Sequence, residues 1–283
     1  MTSFQAPDGT SLAYDEHGEG APLVCLPGGP MQDPGYLGEL GGLLPRHRRL
    51  VVLHARGTGR SAEPADPGTY RCDRQVGDVE AFRAALDVDR MDLLAHSAGT
   101  NLALLYAVRY PRYVRSLVLV APSAAAVDLH PSDEVRREVA RLRAKEPWFD
   151  EAWAALTDLQ AGTVTPDTIT AIAPFRYGRW NADARAHAQA EDKQRNAVAA
   201  AGFNAEGAYD PAGLRAALGS LSVPVLLVAG ELDVNSPPAA VAEQAALFPD
   251  ARLVVQPGAG HFPWLDDPEA FTATVADFLA EVS

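Results

Sequence analysis

Strand-like and helical patterns alternate along the chain, and this alternation restricts its fold more than any other feature. Three short runs, Pro22 to Leu26, Met91 to Ala95 and Ser116 to Val120, are apolar throughout, as expected of strands buried on both faces. Helical spacing follows at residues 75–86 and 102–110. The alternation predicts an α/β fold in which helices cover both faces of a mostly parallel sheet.

Further strands are predicted near both ends of the chain. Asp8-Gly9 separates the first two and is typical of a tight hairpin turn, because glycine tolerates positive φ. A closing helix is predicted at Pro268 to Leu279. The other predicted strands are Ser3 to Pro7, Ser11 to Tyr14, Leu50 to His54, Pro224 to Ala229 and Arg252 to Val255.

The middle of the chain has a different character. Between about residues 125 and 216 strand-like runs disappear, and helical periodicity occurs in Val135 to Leu142 and Phe149 to Leu159. We expect a core formed by residues 1–124 and 217–283, with a helical cap inserted at residues 125–216.

Composition argues against several classes of protein. The 283 residues carry a formal net charge of -13 without clustered Lys or Arg, which disfavours nucleic-acid binding. No apolar run reaches the roughly 18 residues that span a bilayer. The start of the chain has no secretory pattern, so we expect no membrane partner and a cytoplasmic location. No Cys and His cluster has zinc-ligand spacing, so neither a metal nor a cofactor is expected, and the oligomeric state is left open.

A serine lies where the predicted strand Met91 to Ala95 meets the helix behind it. Ser97 has a small residue two positions away on either side, Ala95 and Gly99. A sharp strand-to-helix turn that exposes a nucleophilic hydroxyl needs such small neighbours. The alternative is that Ser97 only caps the helix.

Two distant residues could complete a nucleophilic site with Ser97. Asp233 follows the predicted strand Pro224 to Ala229, and His261 follows the last predicted strand. Because the carboxyl ends of parallel strands lie at one edge of a sheet, the three side chains should meet there. A serine hydroxyl needs a base to take its proton and a group to orient that base, and His261 and Asp233 fit these roles.

Neighbouring polar residues have plainer interpretations. Glu231 is a minor rival of Asp233 for the acid. Asp266 and Asp267 are expected to open the final helix, where carboxylates interact favourably with the helix dipole. His96 is expected to pack, because adjacent residues on a sharp turn point apart.

In its Ser, Asp, His order and in the motifs around it, the chain resembles the α/β-hydrolase fold family. Pro27-Gly-Gly-Pro30 and Arg56-Gly-Thr-Gly-Arg-Ser61 resemble two loops of the proline iminopeptidases within that family. The resemblance implies a serine hydrolase whose oxyanion hole uses the N–H groups of Gly29 and Ala98. The turn Ala95-His-Ser-Ala-Gly99 departs from the peptidase pattern and is closer to that of general esterases and lactonases.

Substrate choice is expected to depend on the cap. Aromatic side chains there could line a pocket or only pack the cap, and His54 could contact the substrate or support its loop. The resemblance implies that peptidases of this kind hold the substrate amine with cap carboxylates. The aromatic candidates are Trp148, Phe149, Trp153, Phe175, Tyr177 and Trp180, and the carboxylate candidates are Asp150, Glu151, Glu191, Asp192 and Glu206.

Three functional hypotheses follow. The first is a serine hydrolase that cleaves a small ester, a lactone or an N-terminal, prolyl-type peptide bond through an acyl-enzyme, with a small molecule or short peptide as substrate. The second is a biosynthetic or cyclising enzyme that uses the cap pocket as a template. The third is a noncatalytic ligand-binding protein of the same fold.

Overall fold

The apolar runs of the sequence form the strands of one sheet in the computed structural model, which describes residues 2–282 apart from the side chain of Asp192. The strands are β1 (Thr2–Gln5), β2 (Ser11–His17), β3 (Pro22–Leu26), β4 (Arg49–Leu53), β5 (Met91–His96), β6 (Val114–Val120), β7 (Val225–Gly230) and β8 (Ala251–Gln256). Within the described residues they make an eight-stranded sheet in the order β1-β2-β4-β3-β5-β6-β7-β8. Strands β3 to β8 run parallel, and β2 is antiparallel to both β1 and β4.

Both faces of the sheet are buried. In β3, Val24 and Leu26 join one apolar cluster, and Leu23 and Cys25 join a second. Because successive side chains of a strand point to opposite faces, the two clusters lie on the two sides of the sheet. This burial explains why these strands have no polar face in the sequence, and the predicted α/β fold is confirmed.

Helices cover the two apolar clusters. Phe82 and Leu102 come from helices that join the first cluster, and Phe271 and Val275 come from the closing helix, which joins the second. The helices are α1 (Gly38–Gly41), α2 (Val76–Ala85), α3 (Gly99–Arg109), α4 (Asp133–Arg141), α5 (Phe149–Gln160), α6 (Pro166–Ile172), α7 (Ala182–Gln194), α8 (Ala197–Phe203), α9 (Pro211–Leu218), α10 (Pro238–Ala245), α11 (Pro263–Asp266) and α12 (Pro268–Glu281).

Some predicted boundaries are wrong by a few residues. Strand β1 ends at Gln5 and not at Pro7, since a proline has no N–H to donate to a neighbouring strand. Strand β6 begins at Val114, and β2 continues to His17. The prediction omits α9 and α10, because their many alanines blur the helical alternation of apolar and polar positions.

The chain between β6 and β7 is helical. Helices α4 and α5 form a small core of their own, in which Phe175 and Val234 take part. Helices α8 and α9 instead contribute Phe203 and Leu218 to the core beneath the sheet. We propose that the cap consists of α4 to α7, so that the predicted limits at residues 125 and 216 fall in segments that pack on the core.

Candidate active site

The carboxyl ends of three parallel strands bring the predicted site residues together. Ser97 follows β5, Asp233 follows β7 and His261 lies in the loop after β8. The Oγ of Ser97 lies 2.9 Å from Nε2 of His261. The Nδ1 of His261 lies 2.8 Å from Oδ2 of Asp233. The three side chains therefore form one continuous series of hydrogen bonds.

Ser97 occupies a strained turn that its small neighbours make possible. Its φ is 50°, in the left-handed region of backbone conformation that residues other than glycine rarely adopt. A Cβ on Gly99 would lie 2.4 Å from the carbonyl oxygen of Pro27, so no larger residue fits there. Ala98, and not Ser97, occupies the N-cap position of helix α3, and its side chain makes no capping hydrogen bond. The alternative that Ser97 caps the helix is therefore wrong.

Backbone donors fix the carboxylate of Asp233. The side chain is fully buried. Its Oδ1 accepts the N–H groups of Asn235 at 2.8 Å and Ser236 at 3.1 Å, which leaves Oδ2 for His261. The rival Glu231 accepts the N–H of Gly258 at 2.7 Å and supports the histidine loop instead.

The turn at Gly28-Gly29 lies against the serine. A Cβ on Gly28 would be 2.9 Å from Cβ of Ser97 and 3.2 Å from the nitrogen of Ala98. Within residues 2–282, neither Gly29 nor Ala98 uses its N–H in a hydrogen bond. The two predicted oxyanion donors are thus unpaired beside the hydroxyl.

A buried tyrosine, Tyr36, connects this turn to the histidine loop. Nε2 of His96 lies 3.0 Å from the carbonyl oxygen of His261, so Nε2 must carry the proton of the neutral ring. Nδ1 of His96 then accepts the Tyr36 hydroxyl at 2.8 Å, and that hydroxyl accepts the N–H of Gly28 at 2.7 Å. Burial lowers the pKa of His96 well below its usual value, so the ring stays neutral. His96 packs as predicted, but it also joins the two loops.

The cap backbone holds the loop of His261. The N–H of His261 donates to the carbonyl oxygen of Arg176 at 2.7 Å. A Cβ on Gly260 would lie 2.5 Å from that same oxygen, which explains a glycine at this position. The close approach makes the cap part of the support of the base.

The expectation that Asp266 opens the final helix is wrong. Its Oδ2 accepts the N–H groups of Gly178 and Gly260, each at 2.8 Å, and so joins the cap to the histidine loop. Burial raises the pKa of Asp266. Asp267 alone begins α12, where it accepts the N–H of Ala270 at 3.0 Å.

A cavity of about 450 Å³ lies between the sheet edge and the cap, with Ser97 and His261 in its wall. Within the described residues, Trp180 is the one aromatic cap candidate that lines it. Tyr177 is buried, with its hydroxyl 2.8 Å from Nδ1 of His187. The others pack into the cap core and do not line the cavity, in agreement with the second of the two interpretations: Trp148, Phe149, Trp153 and Phe175. Helical spacing identified apolar positions without telling a core face from a cavity face.

His54 does not line the cavity, which does not support the interpretation that it contacts the substrate. Its Nε2 lies 2.9 Å from Oδ2 of Asp15, and its Nδ1 accepts the N–H of Arg60 at 3.1 Å. The side chain is buried with both ring nitrogens occupied. His54 therefore supports the glycine-rich loop, which was the other interpretation.

Of the cap carboxylates with a described side chain, Glu191 is the one that lines the cavity. It forms a close ion pair with Arg176. The side chain of Asp192 lies outside the described part of the chain. Three candidates are exposed elsewhere: Asp150, Glu151 and Glu206.

Among residues 2–282, no group of three or more His, Cys, Asp and Glu side chains could hold a metal ion. None of the helices in this range combines the length and apolar character needed to cross a membrane.

Comparison with known proteins agrees with this architecture. The family model of the alpha/beta hydrolase fold matches residues 21–268. A proline iminopeptidase from Heyndrickxia coagulans is 26% identical over 278 residues, which cover 95% of this chain and 94% of the relative. An N-formylmaleamate deformylase from Pseudomonas putida is 29% identical over 279 residues, which cover 93% of this chain and 90% of the relative.

Solved structures give the same result for the fold. An esterase from Exiguobacterium antarcticum superposes with a TM-score of 0.75 at 20% identity, covering 99% of both chains. The predicted family and its hydrolase class are confirmed. The sheet, the strained serine turn and the family match together establish that this chain belongs to the α/β-hydrolase fold family.

Proposed function

We propose that this protein is a serine hydrolase that cleaves small esters or lactones through an acyl-enzyme. The main support is the series of contacts from Ser97 Oγ through His261 to the buried Asp233, with the serine open to a cavity. A template or purely binding role would require neither this contact nor the strained φ of Ser97.

In the first half of the reaction, Ser97 attacks the substrate carbonyl. With Nδ1–H of His261 donating to Asp233, Nε2 accepts the proton of the Ser97 hydroxyl as Oγ bonds to the carbonyl carbon. The carbonyl oxygen becomes negative and accepts the N–H groups of Gly29 and Ala98. One such donor is worth about 3 kcal/mol of transition-state stabilisation.

In the second half, the acyl-enzyme is hydrolysed. The imidazolium of His261 gives its proton to the leaving alkoxide, which departs as an alcohol. A water molecule then loses a proton to Nε2 and attacks the acyl carbon, and the Ser97 oxygen leaves as it regains that proton. The products are an acid and an alcohol, and the groups named here supply every proton transfer.

The charges around the cavity favour an ester over an N-terminal peptide bond. A peptidase of this kind must bind the positive amine of its substrate, as the resemblance to the proline iminopeptidases implies. Glu191 is the one described carboxylate that lines the cavity, and Arg176 already neutralises it. A free ammonium group would therefore meet no available carboxylate among the described side chains.

The proposal is tested with a fluorophosphonate probe and two chromogenic substrates. We expect the probe to label wild type and Ser220→Ala, which alters an exposed serine, but not Ser97→Ala. We expect Ser97→Ala to lose about 10^4- to 10^6-fold in kcat on p-nitrophenyl butyrate. A folded wild type that is not labelled contradicts the hydrolase proposal. Turnover of proline p-nitroanilide at rates matching the ester would contradict the preference for esters.

A further inference from the structure

We propose that the natural substrate carries a carboxylate besides the bond that is cleaved, and that Arg195 and Arg185 bind this carboxylate. The proposal rests on the proposed function, because the two arginines line the same cavity as Ser97. It names the class of substrate that this site accepts.

The charge balance of the cavity wall is opposite to that of the whole chain. The chain has 24 Lys and Arg against 37 Asp and Glu. Among the described side chains, the charged residues that line the cavity are Arg176, Arg185, Glu191 and Arg195. Glu191 neutralises Arg176, so two positive charges are left over. A cleft lined by charge of one sign attracts ligands of the opposite sign.

Arg195 is anchored by its backbone, while its side chain is free. It forms an antiparallel bridge with Gln32 in the loop that follows Gly29. The flanking hydrogen bonds, Asp33 N–H to Gln194 at 2.8 Å and Asn196 N–H to Met31 at 3.1 Å, hold this register. Within residues 2–282, the guanidinium of Arg195 has no ion-pair or hydrogen-bond partner. The backbone of Arg195 is thus held against the loop that follows Gly29, and its guanidinium is left without a protein acceptor among the described residues.

Arg185 lies on the face of α7 that lines the cavity together with Ala188 and Gln189. Its guanidinium donates to the carbonyl oxygen of Trp180 at 3.2 Å. Since a guanidinium has five N–H donors, most of them remain available for a ligand. The buried Nε of Arg176 also has no acceptor within the described residues.

The rest of the cavity wall suits a short aliphatic chain. A guanidinium binds a carboxylate through two parallel, charge-assisted hydrogen bonds, which gives both affinity and orientation. A ligand that fits therefore combines a carboxylate, a few apolar carbons and an ester or lactone, as in the half-ester of a small dicarboxylic acid. The apolar lining is formed by Leu159, Ile169, Ile172, Ala173, Trp180 and Phe262.

The test compares two esters that differ by one group, methyl valerate and monomethyl glutarate. Monomethyl glutarate carries a carboxylate where methyl valerate has its terminal methyl. We expect wild type to have a kcat/KM about ten- to hundredfold higher for monomethyl glutarate, which corresponds to the usual worth of a charged hydrogen bond. Arg195→Gln and Arg185→Gln should each remove most of this preference, by lowering kcat/KM for monomethyl glutarate far more than for methyl valerate. Added salt should weaken the preference in wild type.

Lys193→Gln is the matched control, since Lys193 is an exposed cation of α7 that does not line the cavity. It should keep the preference. Equal rates of wild type on both esters overturn the proposal, as do arginine variants that lower both rates alike.

Protection from the fluorophosphonate probe separates this inference from the proposed function. Glutarate should slow labelling of wild type more than 1-pentanol does, whether or not either ester is turned over. Labelling that glutarate does not slow overturns the carboxylate site. A wild type that is never labelled overturns the hydrolase proposal instead.

Discussion

Tyr36 shows how a residue without a chemical role can support the site. Its hydroxyl accepts the N–H of Gly28 and donates to His96, whose other nitrogen donates to the carbonyl oxygen of His261. The turn that carries one proposed oxyanion donor is thereby tied to the loop that carries the proposed base. Tyr36 is therefore a positioning residue.

Substitution of Tyr36→Phe should lower kcat about tenfold with little change in KM. The N–H of Gly28 and Nδ1 of His96 would lose their shared partner, so the oxyanion turn would be held less firmly, while the cavity wall would lose only one hydroxyl group. The two lost hydrogen bonds are worth about 0.5–1.5 kcal/mol each, and about 1.4 kcal/mol corresponds to a tenfold change in rate. Steady-state kinetics on p-nitrophenyl butyrate measures the effect, with Tyr113→Phe, whose hydroxyl contacts Arg112, as the control. A raised KM at constant kcat would assign Tyr36 to substrate binding instead.

The sequence was enough to predict Ser97, Asp233 and His261 as partners, because each follows a strand whose apolar pattern is plain. It was not enough to predict Tyr36 or Arg176. Both act through contacts between loops, and the path of a loop is set by tertiary packing that no local pattern encodes.

At the level of elements, the junction between the cap and the histidine loop depends on Asp266. One carboxylate oxygen accepts two N–H groups, from Gly178 in the cap and from Gly260 beside the base, and the other accepts from Arg179. The carboxylate thus satisfies three backbone donors at a place where two elements meet.

Substitution of Asp266→Asn should destabilise the protein by about 1–3 kcal/mol, because the new amide NH₂ would face a backbone N–H with no acceptor left for it. Asp267→Asn is a matched control, since Asp267 caps α12 and asparagine caps a helix about as well. Urea unfolding followed by circular dichroism measures the difference. Equal unfolding midpoints for the two variants would contradict the role given to Asp266.

Strands were easier to predict than the cap. A strand buried on both faces needs apolar residues throughout, whatever surrounds it, so β3 was predicted to the residue. In the cap, Phe175 and Trp180 carry the same apolar signal, yet one packs in a core and the other lines the cavity. Whether an apolar residue of the cap lies in the core or at the cavity depends on how the helices pack against each other. Hydrophobic periodicity carries no information about that packing.

At the scale of the whole molecule, the buried His96 and the half-buried His187 make stability depend on pH. His96 and His187 each face a carbonyl oxygen with Nε2 and accept a tyrosine hydroxyl with Nδ1. Burial lowers the pKa of both rings below the usual 6.5. The unfolded chain therefore takes up protons at a higher pH than the folded protein does.

We expect the free energy of unfolding to fall as the pH drops below about 6.5, by up to about 1.4 kcal/mol per pH unit for each histidine. His187→Gln should reduce the slope between pH 6.5 and 5, whereas substitution of the exposed His130→Gln should not. Urea unfolding at several pH values measures the slopes. An unchanged slope in His187→Gln would mean that this ring becomes protonated in the folded protein.

The hydrogen bond from His261 to the carbonyl oxygen of Arg176 has a consequence for protein engineering. Exchanging caps between relatives is an obvious way to transplant specificity, on the assumption that the core retains its catalytic competence. Here the transplanted cap would also have to supply a backbone equivalent to that from Arg176 to Gly178, since this stretch is hydrogen-bonded to the histidine loop and to Asp266. A chimera joined without regard to this stretch would alter turnover along with selectivity.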